Sequence, residues 1–228
     1  MRSPVVESLF NPVSSHNPLN RLSVDRLAEV FQAGQRFGWI GHASPGSILG
    51  QTDGFVGAVE LAELTRLVEL GSGGGVPGLV IAARLPDLEL VCIEADQRRV
   101  DHLWWAVNFL ELESRVSVVH GRAEDLAHDP AHRGVFDGCI ARSFAPLPVT
   151  VEVAAGFLRI GGRCIVSRAI SSLAGPSFDR GLRLVGQADC STAADLYVGI
   201  QVDLVPARYP RSEKSSRREP LWNVSRET

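Results

Sequence analysis

A glycine-rich segment that follows an acidic residue is the part of the sequence best suited to bind a charged ligand. The apolar pair Leu67 and Val68 leads to Glu69, and Pro77 stands near the end of the segment. The glycines that accompany them are Gly71, Gly73, Gly74, Gly75 and Gly78. Glycine lets a strand turn sharply into a helix while the backbone approaches a ligand, because no Cβ intervenes. Since proline suits a first helical turn, the segment predicts a strand, a binding loop and a helix of a nucleotide-type α/β domain.

The charge of Glu69 distinguishes between two kinds of nucleotide ligand. A carboxylate at this turn repels the pyrophosphate of a dinucleotide, whereas it attracts the ammonium group of a methionine-type ligand. The pattern of an acid followed by alternating glycines therefore favours S-adenosylmethionine over NAD. We expect this cofactor to contact Glu69 and the loop residues Gly71, Ser72, Gly73, Gly75 and Val76.

A second acidic residue stands where a ribose-binding group is expected. The apolar run from Leu88 to Ile93 predicts a buried strand, and it ends at Glu94. Glu94 follows Gly71 by 23 residues, close to the separation at which a strand-end carboxylate meets a ribose diol. We expect Glu94 to accept two hydrogen bonds from the ribose hydroxyls, with Ala95 beside it in the same site.

The loop after the third predicted strand has two interpretations. It contains Gly121, Arg122, Ala123, Glu124 and Asp125. In a nucleoside-binding fold this loop borders the adenine, and Ala123 and Glu124 are the expected contacts. The same residues suit the first turn of a helix, where acidic side chains are favoured. Both interpretations can hold together.

The loop after the fourth predicted strand is the expected place for residues that hold a methyl acceptor. It contains Arg142, Phe144 and Pro146. It lacks the D/N-P-P-Y motif of enzymes that methylate exocyclic amines and the Pro-Cys nucleophile of cytosine C5 chemistry. We expect Arg142 to position the reactants and contact the cofactor, and Phe144 and Pro146 to make the acceptor pocket less polar. No spacing of cysteines indicates a metal site.

Predicted strands and helices alternate along the chain as they do in a doubly wound sheet. The strands are predicted at 66–70, 89–94, 116–119, 135–141, 164–166, 182–185 and 197–205, the last two as an antiparallel pair. The helices are predicted at 23–37, 53–64, 77–84, 96–110 and 149–158, with Ser23 and Asp96 opening two of them. A loop at 38–50 and a turn at Gly161 and Gly162 complete the pattern. The fold class is therefore α/β, with a seven-stranded, mostly parallel sheet and a helical N-terminal extension.

Length and composition indicate a compact protein of the cytoplasm. The chain has 228 residues, of which 45% are apolar, enough for a sizeable core. No segment approaches the ~18 apolar residues of a membrane span, and residues 1–20 lack the apolar core of a signal peptide. Cys92, Cys139 and Cys164 fall inside predicted strands without a C-x-x-C pair, so we interpret them as buried thiols. We divide the chain into a flexible N-terminus (1–20), a helical extension (21–64), a cofactor-binding core (65–206) and a basic tail (207–228).

The net charge of −3 conceals a basic cluster near the C-terminus. Between positions 208 and 218 a single acid, Glu213, accompanies Arg208, Arg211, Lys214, Arg217 and Arg218. Arginine binds phosphate through two parallel hydrogen bonds and stacks on bases. The cluster predicts an anionic partner, although a solvated tail is the simpler alternative.

Several segments of the chain resemble the small-subunit ribosomal RNA guanine-N7 methyltransferase family (RsmG, also called GidB). The shared motifs are L-G-S-G-G-G-V-P-G from Leu70, V-V-H-G-R-A-E-D-L from Val118, A-R-S-F-A-P-L from Ala141, L-R-I-G-G-R from Leu158 and R-Y-P-R from Arg208. The resemblance implies cofactor contacts at Gly71, Val76, Ala123, Glu124 and Arg142, and a ribose contact at Glu94. It also implies that Arg168, Arg208 and Arg211 belong to a basic surface for ribosomal RNA or the small ribosomal subunit.

The N-terminal region departs from this family. The family carries W-N-x-x-x-N-L-T and H-x-x-D-S-L segments there, and the region from Gly38 to Phe55 has neither. Gln51 stands about where the family has its histidine. The chain therefore resembles a divergent member, and the altered region can reshape the acceptor pocket.

The implied acceptor needs little chemistry from the protein. Guanine N7 has an in-plane lone pair and carries no proton, so no general base is required. Catalysis then comes from holding N7 in line with the donated methyl group. Two alternatives remain at this point. They are a small-molecule methyltransferase derived from the same family and a cofactor-binding module without turnover.

Overall fold

A seven-stranded sheet forms the centre of the computed structural model, which describes residues 21–167, 176–193 and 195–222. The strands are β1 (Arg66–Leu70), β2 (Glu89–Glu94), β3 (Val116–His120), β4 (Phe136–Ala141), β5 (Leu158–Ser167), β6 (Gln187–Ala193) and β7 (Leu196–Gln201). Their spatial order is β3-β2-β1-β4-β5-β7-β6. The first five strands pair in parallel, and β7 pairs antiparallel with both β5 and β6. The predicted fold class, with its antiparallel final pair, is confirmed.

Helices lie between the strands and before the first of them. Before β1 come α1 (Arg21–Arg36), α2 (Pro45–Gly50) and α3 (Asp53–Leu61). The others are α4 (Gly78–Arg84), α5 (Gln97–Phe109), α6 (Ala123–Leu126), α7 (Leu147–Phe157), α8 (Pro176–Leu184) and α9 (Glu213–Arg218). Among the described residues, no helix combines the length and apolar character that crossing a bilayer requires.

Alternation along the strands places one apolar layer on each face of the sheet. In β1, Val68 and Leu70 belong to the cluster that includes residues of α7 and α8. Leu67 points to the opposite face, into the cluster that includes residues of α3, α4 and α5. Successive side chains of a strand point to opposite faces, so a strand buried on both sides reads as a continuous apolar run. This explains why strands β1 and β2 could be predicted from the sequence.

The N-terminal helices pack on the sheet layer through a smaller core. Leu27 and Phe31 of α1 join Ile40 and Ile48 around Val80 of α4, and all five side chains are buried. The helix that follows the cofactor loop therefore contacts the N-terminal extension directly. The predicted boundary between residues 64 and 65 stays a prediction.

Four local predictions were wrong. Ser23 lies inside α1 and does not open it, and the predicted loop at 38–50 contains α2, whose first turn is capped by Ser44. Residues 182–184 end helix α8, and the strand predicted there begins later, at Gln187. The turn predicted at Gly161 lies within the longer strand β5, where Gly161 has a φ of +85°. By contrast, Asp96 caps α5 as predicted, accepting hydrogen bonds from the amides of Arg98 and Arg99.

Candidate functional site

A cleft opens where β1, β2, β3 and β4 end, which is the edge at which parallel α/β sheets bind ligands. Six residues predicted for the cofactor or acceptor site line it: Gly71, Glu94, Ala95, Ala123, Glu124 and Phe144. They come from the ends of four strands: Gly71 follows β1, Glu94 and Ala95 lie at the end of β2, Ala123 and Glu124 begin the helix after β3, and Phe144 lies in the loop after β4. The structure therefore brings together residues that are up to 73 positions apart in the sequence.

Glu94 is the most firmly positioned acid of the cleft. Its Oε2 accepts a hydrogen bond from the amide of Gly73 at 2.9 Å, and its Oε1 accepts from Ala95 at 2.8 Å and Asp96 at 3.0 Å. A carboxylate has about four acceptor sites, so about one stays available to a ligand hydroxyl. This is fewer than the two hydrogen bonds expected for the ribose.

The glycine loop is held in its turn by this carboxylate. Gly73 has a φ of +56°, a conformation that side chains with a Cβ rarely adopt, and its amide is the donor to Glu94. Of the loop residues predicted to contact the cofactor, Gly71 lines the cleft, and Ser72, Gly73, Gly75 and Val76 do not. The loop thus presents Gly71 to the cleft, whereas Ser72 and Gly75 are buried in the protein.

Glu69 lies beneath the loop and does not line the cleft. Only 1% of the residue is exposed, and its Oε1 accepts a hydrogen bond from the Gly78 amide at the start of α4, at 2.9 Å. The thiol of Cys92 lies 3.8 Å from its Oε2. Burial raises the pKa of Glu69 to about 7, against the lowering effects of the Gly78 amide and the charge of Arg142. The arrangement gives Glu69 a role in joining the loop to α4, so it does not support the predicted contact with the ligand ammonium group.

Arg142 follows β4 and is half-buried beside the same acid. Burial lowers the pKa of Arg142, and the charge of Glu69 opposes this shift. Its Nη1 is buried and has no hydrogen-bond partner among the residues that the structure describes. Arg142 is not part of the cleft wall, but the next residues, Ser143 and Phe144, are. A buried guanidinium nitrogen without a partner is a donor that a ligand can satisfy.

The acceptor loop is only partly in the cleft. The ring of Phe144 lies against Gly71, so close that a Cβ at Gly71 would lie 2.9 Å from it. Pro146 is exposed, precedes α7 and lies outside the cleft wall. Phe144 therefore keeps the predicted place beside the cofactor loop, and Pro146 does not.

The C-terminal segment completes the cleft, which the sequence did not indicate. Glu213 and Arg217 of α9 line it together with Arg99 and Arg122. Arg122 forms an ion pair with Glu213, and Arg217 Nε binds Glu213 Oε1 at 2.8 Å. The hydrogen bond from Arg217 and the charge of Arg122 lower the pKa of Glu213. Arg99 and Arg122 could have been found, because each lies a few residues beyond a predicted strand end.

Arg211 anchors this segment and is not a free cation. Its Nη2 lies 2.6 Å and its Nε 2.9 Å from the carboxylate oxygens of Glu152, whose side chain is fully buried in α7. Arg208 has its guanidinium 5.1 Å from the ring centre of Tyr209 and is exposed. Arg168 lies outside the described residues. The structure thus corrects the picture of a free basic tail, since Arg211 binds Glu152 of α7 and Arg217 lines the cleft.

The histidines of the described residues do not line the cleft. His120 and His128 contact the backbone carbonyls of Ala95 and Pro210 through Nε2, at 3.1 and 2.7 Å. His132 lies 3.7 Å from a carboxylate oxygen of Asp129. Among the described residues, no cluster of His, Cys, Asp and Glu is suited to hold a metal ion.

Solved methyltransferase structures share the fold of this chain. An O-methyltransferase from Bacillus cereus, solved with S-adenosylhomocysteine, aligns with 87% of this chain and 97% of its own, with a TM-score of 0.56 at 16% identity. The O-methyltransferase TomG from Streptomyces achromogenes, solved with S-adenosylmethionine, aligns with 78% and 90%, with a TM-score of 0.55 at 20% identity. At such identities the likeness concerns the fold, which is that of these methyltransferases.

The sequence comparison identifies the family. Residues 24–175 match the family described as rRNA small subunit methyltransferase G, and the chain belongs to it. Proteins named ribosomal RNA small subunit methyltransferase G are similar to it. The protein from Caldanaerobacter subterraneus is 30% identical over 178 residues, 68% of this chain and 69% of that protein. The protein from Rubrobacter xylanophilus is 39% identical over 103 residues, 45% of this chain and 39% of that protein. The chain thus spans between about two fifths and two thirds of these relatives.

Proposed function

We propose that the protein is an S-adenosylmethionine-dependent methyltransferase that methylates N7 of a guanine in small-subunit ribosomal RNA. The observation that carries this proposal is the family match over residues 24–175, a range that contains most of the cleft wall. The matched range supplies the glycine loop, Glu94, Glu124 and Phe144 at one edge of the sheet.

The residues of the cleft fit the cofactor. Glu94 keeps about one acceptor site for a ribose hydroxyl, and Arg142 has a buried Nη1 without a hydrogen-bond partner among the described residues. Ala123 and Glu124 line the part of the cleft beyond β3, where the adenine is expected. When bound, S-adenosylmethionine supplies an electrophilic methyl group on a positively charged sulfur. Glu69 serves this site indirectly, by holding the loop to α4.

The protein's own contribution to the reaction is positioning. Guanine N7 carries no proton, so the cleft needs no group to remove one. Its carboxylates are engaged within the protein. Glu94 accepts three backbone hydrogen bonds, and Glu124 and Glu213 are paired with Arg122. Phe144 and the partly apolar wall around it keep water from the reacting atoms. The methyl transfer is then accelerated mainly because the cleft holds guanine N7 in line with the methyl group.

RNA contact is best served by the arginines at the cleft. Arg99, Arg122 and Arg217 line it, and Glu213 forms ion pairs with the last two. An RNA phosphate can take the place of the Glu213 carboxylate between these guanidinium groups, because both are anions with paired oxygens. The ion pair between Arg211 and Glu152 supports counting residues 207–222 as part of the methyltransferase core.

The experiment that tests this function follows the methyl group. The protein is incubated with S-adenosylmethionine labelled in the methyl group and with small ribosomal subunits, protein-free small-subunit RNA, or a metabolite extract. We expect label in the RNA of the subunits or in the free RNA. Label confined to the metabolite extract contradicts the RNA substrate, and tight cofactor binding with no transfer to any acceptor contradicts the enzymatic function itself.

A further inference from the structure

A groove lined by aromatic rings lies between α1 and α5, next to the cofactor loop. Phe37 and Trp39 follow α1, and His102 and Trp105 lie on α5. Ala33 of α1 and Arg98 and Asp101 of α5 complete the lining. The aromatic groove, as we call these seven residues, is not part of the cleft described above.

The rings form a continuous row. The ring centres of Phe37 and Trp39 are 4.7 Å apart with an interplanar angle of 21°, a stacked pair. The row continues from Trp39 to His102 at 5.3 Å, from His102 to Trp105 at 5.5 Å, and from Trp105 to Phe109 at 5.3 Å. Phe37 is 66% exposed and Trp105 is 43% exposed. Exposed aromatic surface of this extent marks a binding surface, since it costs solvation free energy in the unbound protein.

The groove is joined to the cofactor loop by direct contacts. His102 Nε2 lies 3.4 Å from the carbonyl oxygen of Gly74 and donates to it, since a carbonyl can only accept. Ile40, next to Trp39, packs so closely on Gly74 that a Cβ there would lie 2.3 Å from its side chain. On α5, Arg98 lines the groove and the adjacent Arg99 lines the cleft. The groove and the cleft therefore border the same loop and the same turn of α5.

We propose that the aromatic groove binds an unstacked base of single-stranded RNA, close to the nucleotide that is methylated. This inference rests on the proposed function and adds the second RNA contact. The exposed rings of Phe37 and Trp105 leave aromatic surface on which a base can stack, and stacking on aromatic side chains is the main way in which proteins hold unpaired bases. Arg98 lies 3.8 Å from Asp96 at the surface, and with 81% of its side chain exposed it provides a cation that can reach the adjoining phosphate. Asp101 provides an acceptor for an exocyclic amine of the base.

Two tryptophans of α5 give a matched test. Trp105 lines the groove and is 43% exposed, whereas its neighbour Trp104 is 46% exposed and lies outside the groove. The probe is a fluorescein-labelled single-stranded oligoribonucleotide with the four bases in mixed sequence, titrated by anisotropy. Because a stacked base contributes about 1–3 kcal/mol, Trp105→Ala should weaken binding by about 5-fold to 150-fold. Trp104→Ala should stay within about twofold of the unaltered protein.

A second variant and two further readouts separate a binding effect from misfolding. Phe37→Ala, on the other wall of the groove, should weaken RNA binding in the same direction. The affinity of all variants for S-adenosylmethionine, measured by calorimetry, should stay within about twofold. Trp105→Phe retains a ring and should recover most of the RNA affinity. The intrinsic tryptophan fluorescence should be quenched by the oligoribonucleotide in Trp104→Ala and much less in Trp105→Ala.

The outcomes distinguish this inference from the proposed function. If Trp105→Ala and Phe37→Ala bind RNA as tightly as Trp104→Ala, the groove is not an RNA site, whether or not the protein methylates RNA. If sedimentation shows that the groove instead holds a second copy of the chain and RNA affinity is unchanged, the inference also fails. If the unaltered protein transfers no methyl group to RNA, while Trp105→Ala and Phe37→Ala lose oligoribonucleotide binding and Trp104→Ala keeps it, the groove stands and the proposed substrate falls.

Discussion

Replacing Arg211 with alanine should destabilise the folded protein, because it leaves a buried carboxylate without its cation. Glu152 is fully buried in α7 and accepts hydrogen bonds from the Arg211 amide at 2.7 Å, from its guanidinium at 2.9 and 2.6 Å, and from the Ser216 hydroxyl at 3.0 Å. The substitution removes the two guanidinium bonds and the positive charge. The amide and hydroxyl donors remain.

The size of the effect follows from these contacts. Removing one partner of a buried ion pair costs about 3–5 kcal/mol, and each hydrogen bond to a charged group contributes about 1.5–3 kcal/mol. The Arg211 side chain is 26% exposed and two of the four donors to Glu152 remain, so we expect a value near the lower limit, about 3 kcal/mol. The double replacement Glu152→Leu with Arg211→Met should be much closer to the unaltered protein, since it buries no unpaired charge.

The decrease in the free energy of unfolding is measured by urea unfolding at neutral pH, from the shift of the transition midpoint. Arg218→Ala is the control, because Arg218 pairs with Glu219 at the surface and its side chain is 73% exposed. Its unfolding free energy should change by less than about 0.5 kcal/mol. The reasoning is refuted if Arg211→Ala unfolds within about 1 kcal/mol of the unaltered protein. If RNA affinity falls in Arg211→Ala and depends less on salt concentration, Arg211 contacts an RNA phosphate, as the sequence predicted.

Three further predictions concern the cofactor loop and its supporting acids. Gly73→Val should abolish cofactor binding, measured by calorimetry, because a β-branched residue is strained at a φ of +56°. Normal affinity in this variant would show that the loop does not hold the cofactor. Glu94→Ala should weaken S-adenosylmethionine binding by about 10-fold to 150-fold, because a hydrogen bond to a charged group contributes about 1.5–3 kcal/mol. A change in the dissociation constant of less than twofold would show that another residue binds the ribose. Glu69→Gln tests the pKa of about 7 that burial gives to Glu69, compared with an ordinary value of 4.5. Because the folded pKa is the higher one, the stability contributed by the protonated acid is complete below about pH 4.5 and is lost as the pH rises to about 7. The unaltered protein should therefore lose up to about 3 kcal/mol relative to Glu69→Gln across this range, and parallel stability curves for the two proteins would contradict the shift.

The sheet was predictable where local sequence determines it. Strands β1 and β2 are mainly apolar and mostly buried, and their bounds at 66–70 and 89–94 match the prediction. The failure came at residues 182–184, where Leu182 and Val185 pack as apolar residues of a helix end. A short apolar run fits a buried strand and a buried helix turn equally well, so only tertiary packing distinguishes them.

The site was predictable to the extent that strand ends determine it. Glu94, Ala123, Glu124 and Phe144 follow strands directly, and the geometry of a parallel sheet brings them to one edge. The position of Glu69 was missed because the sequence does not show whether its side chain points to the ligand or to α4. Arg217 was missed because its approach depends on the Arg211–Glu152 pair, whose partners are 59 residues apart in the sequence.

The identity of the methylated atom tests the central claim most directly. Small ribosomal subunits are methylated by the protein with S-adenosylmethionine labelled in the methyl group, and their RNA is digested to nucleosides that are separated and identified by mass spectrometry. The account predicts that the label is in N7-methylguanosine, with no label when Gly73→Val replaces the unaltered protein. Label in a 2′-O-methyl or exocyclic N-methyl nucleoside would contradict transfer to a proton-free ring nitrogen in a cleft without a general base.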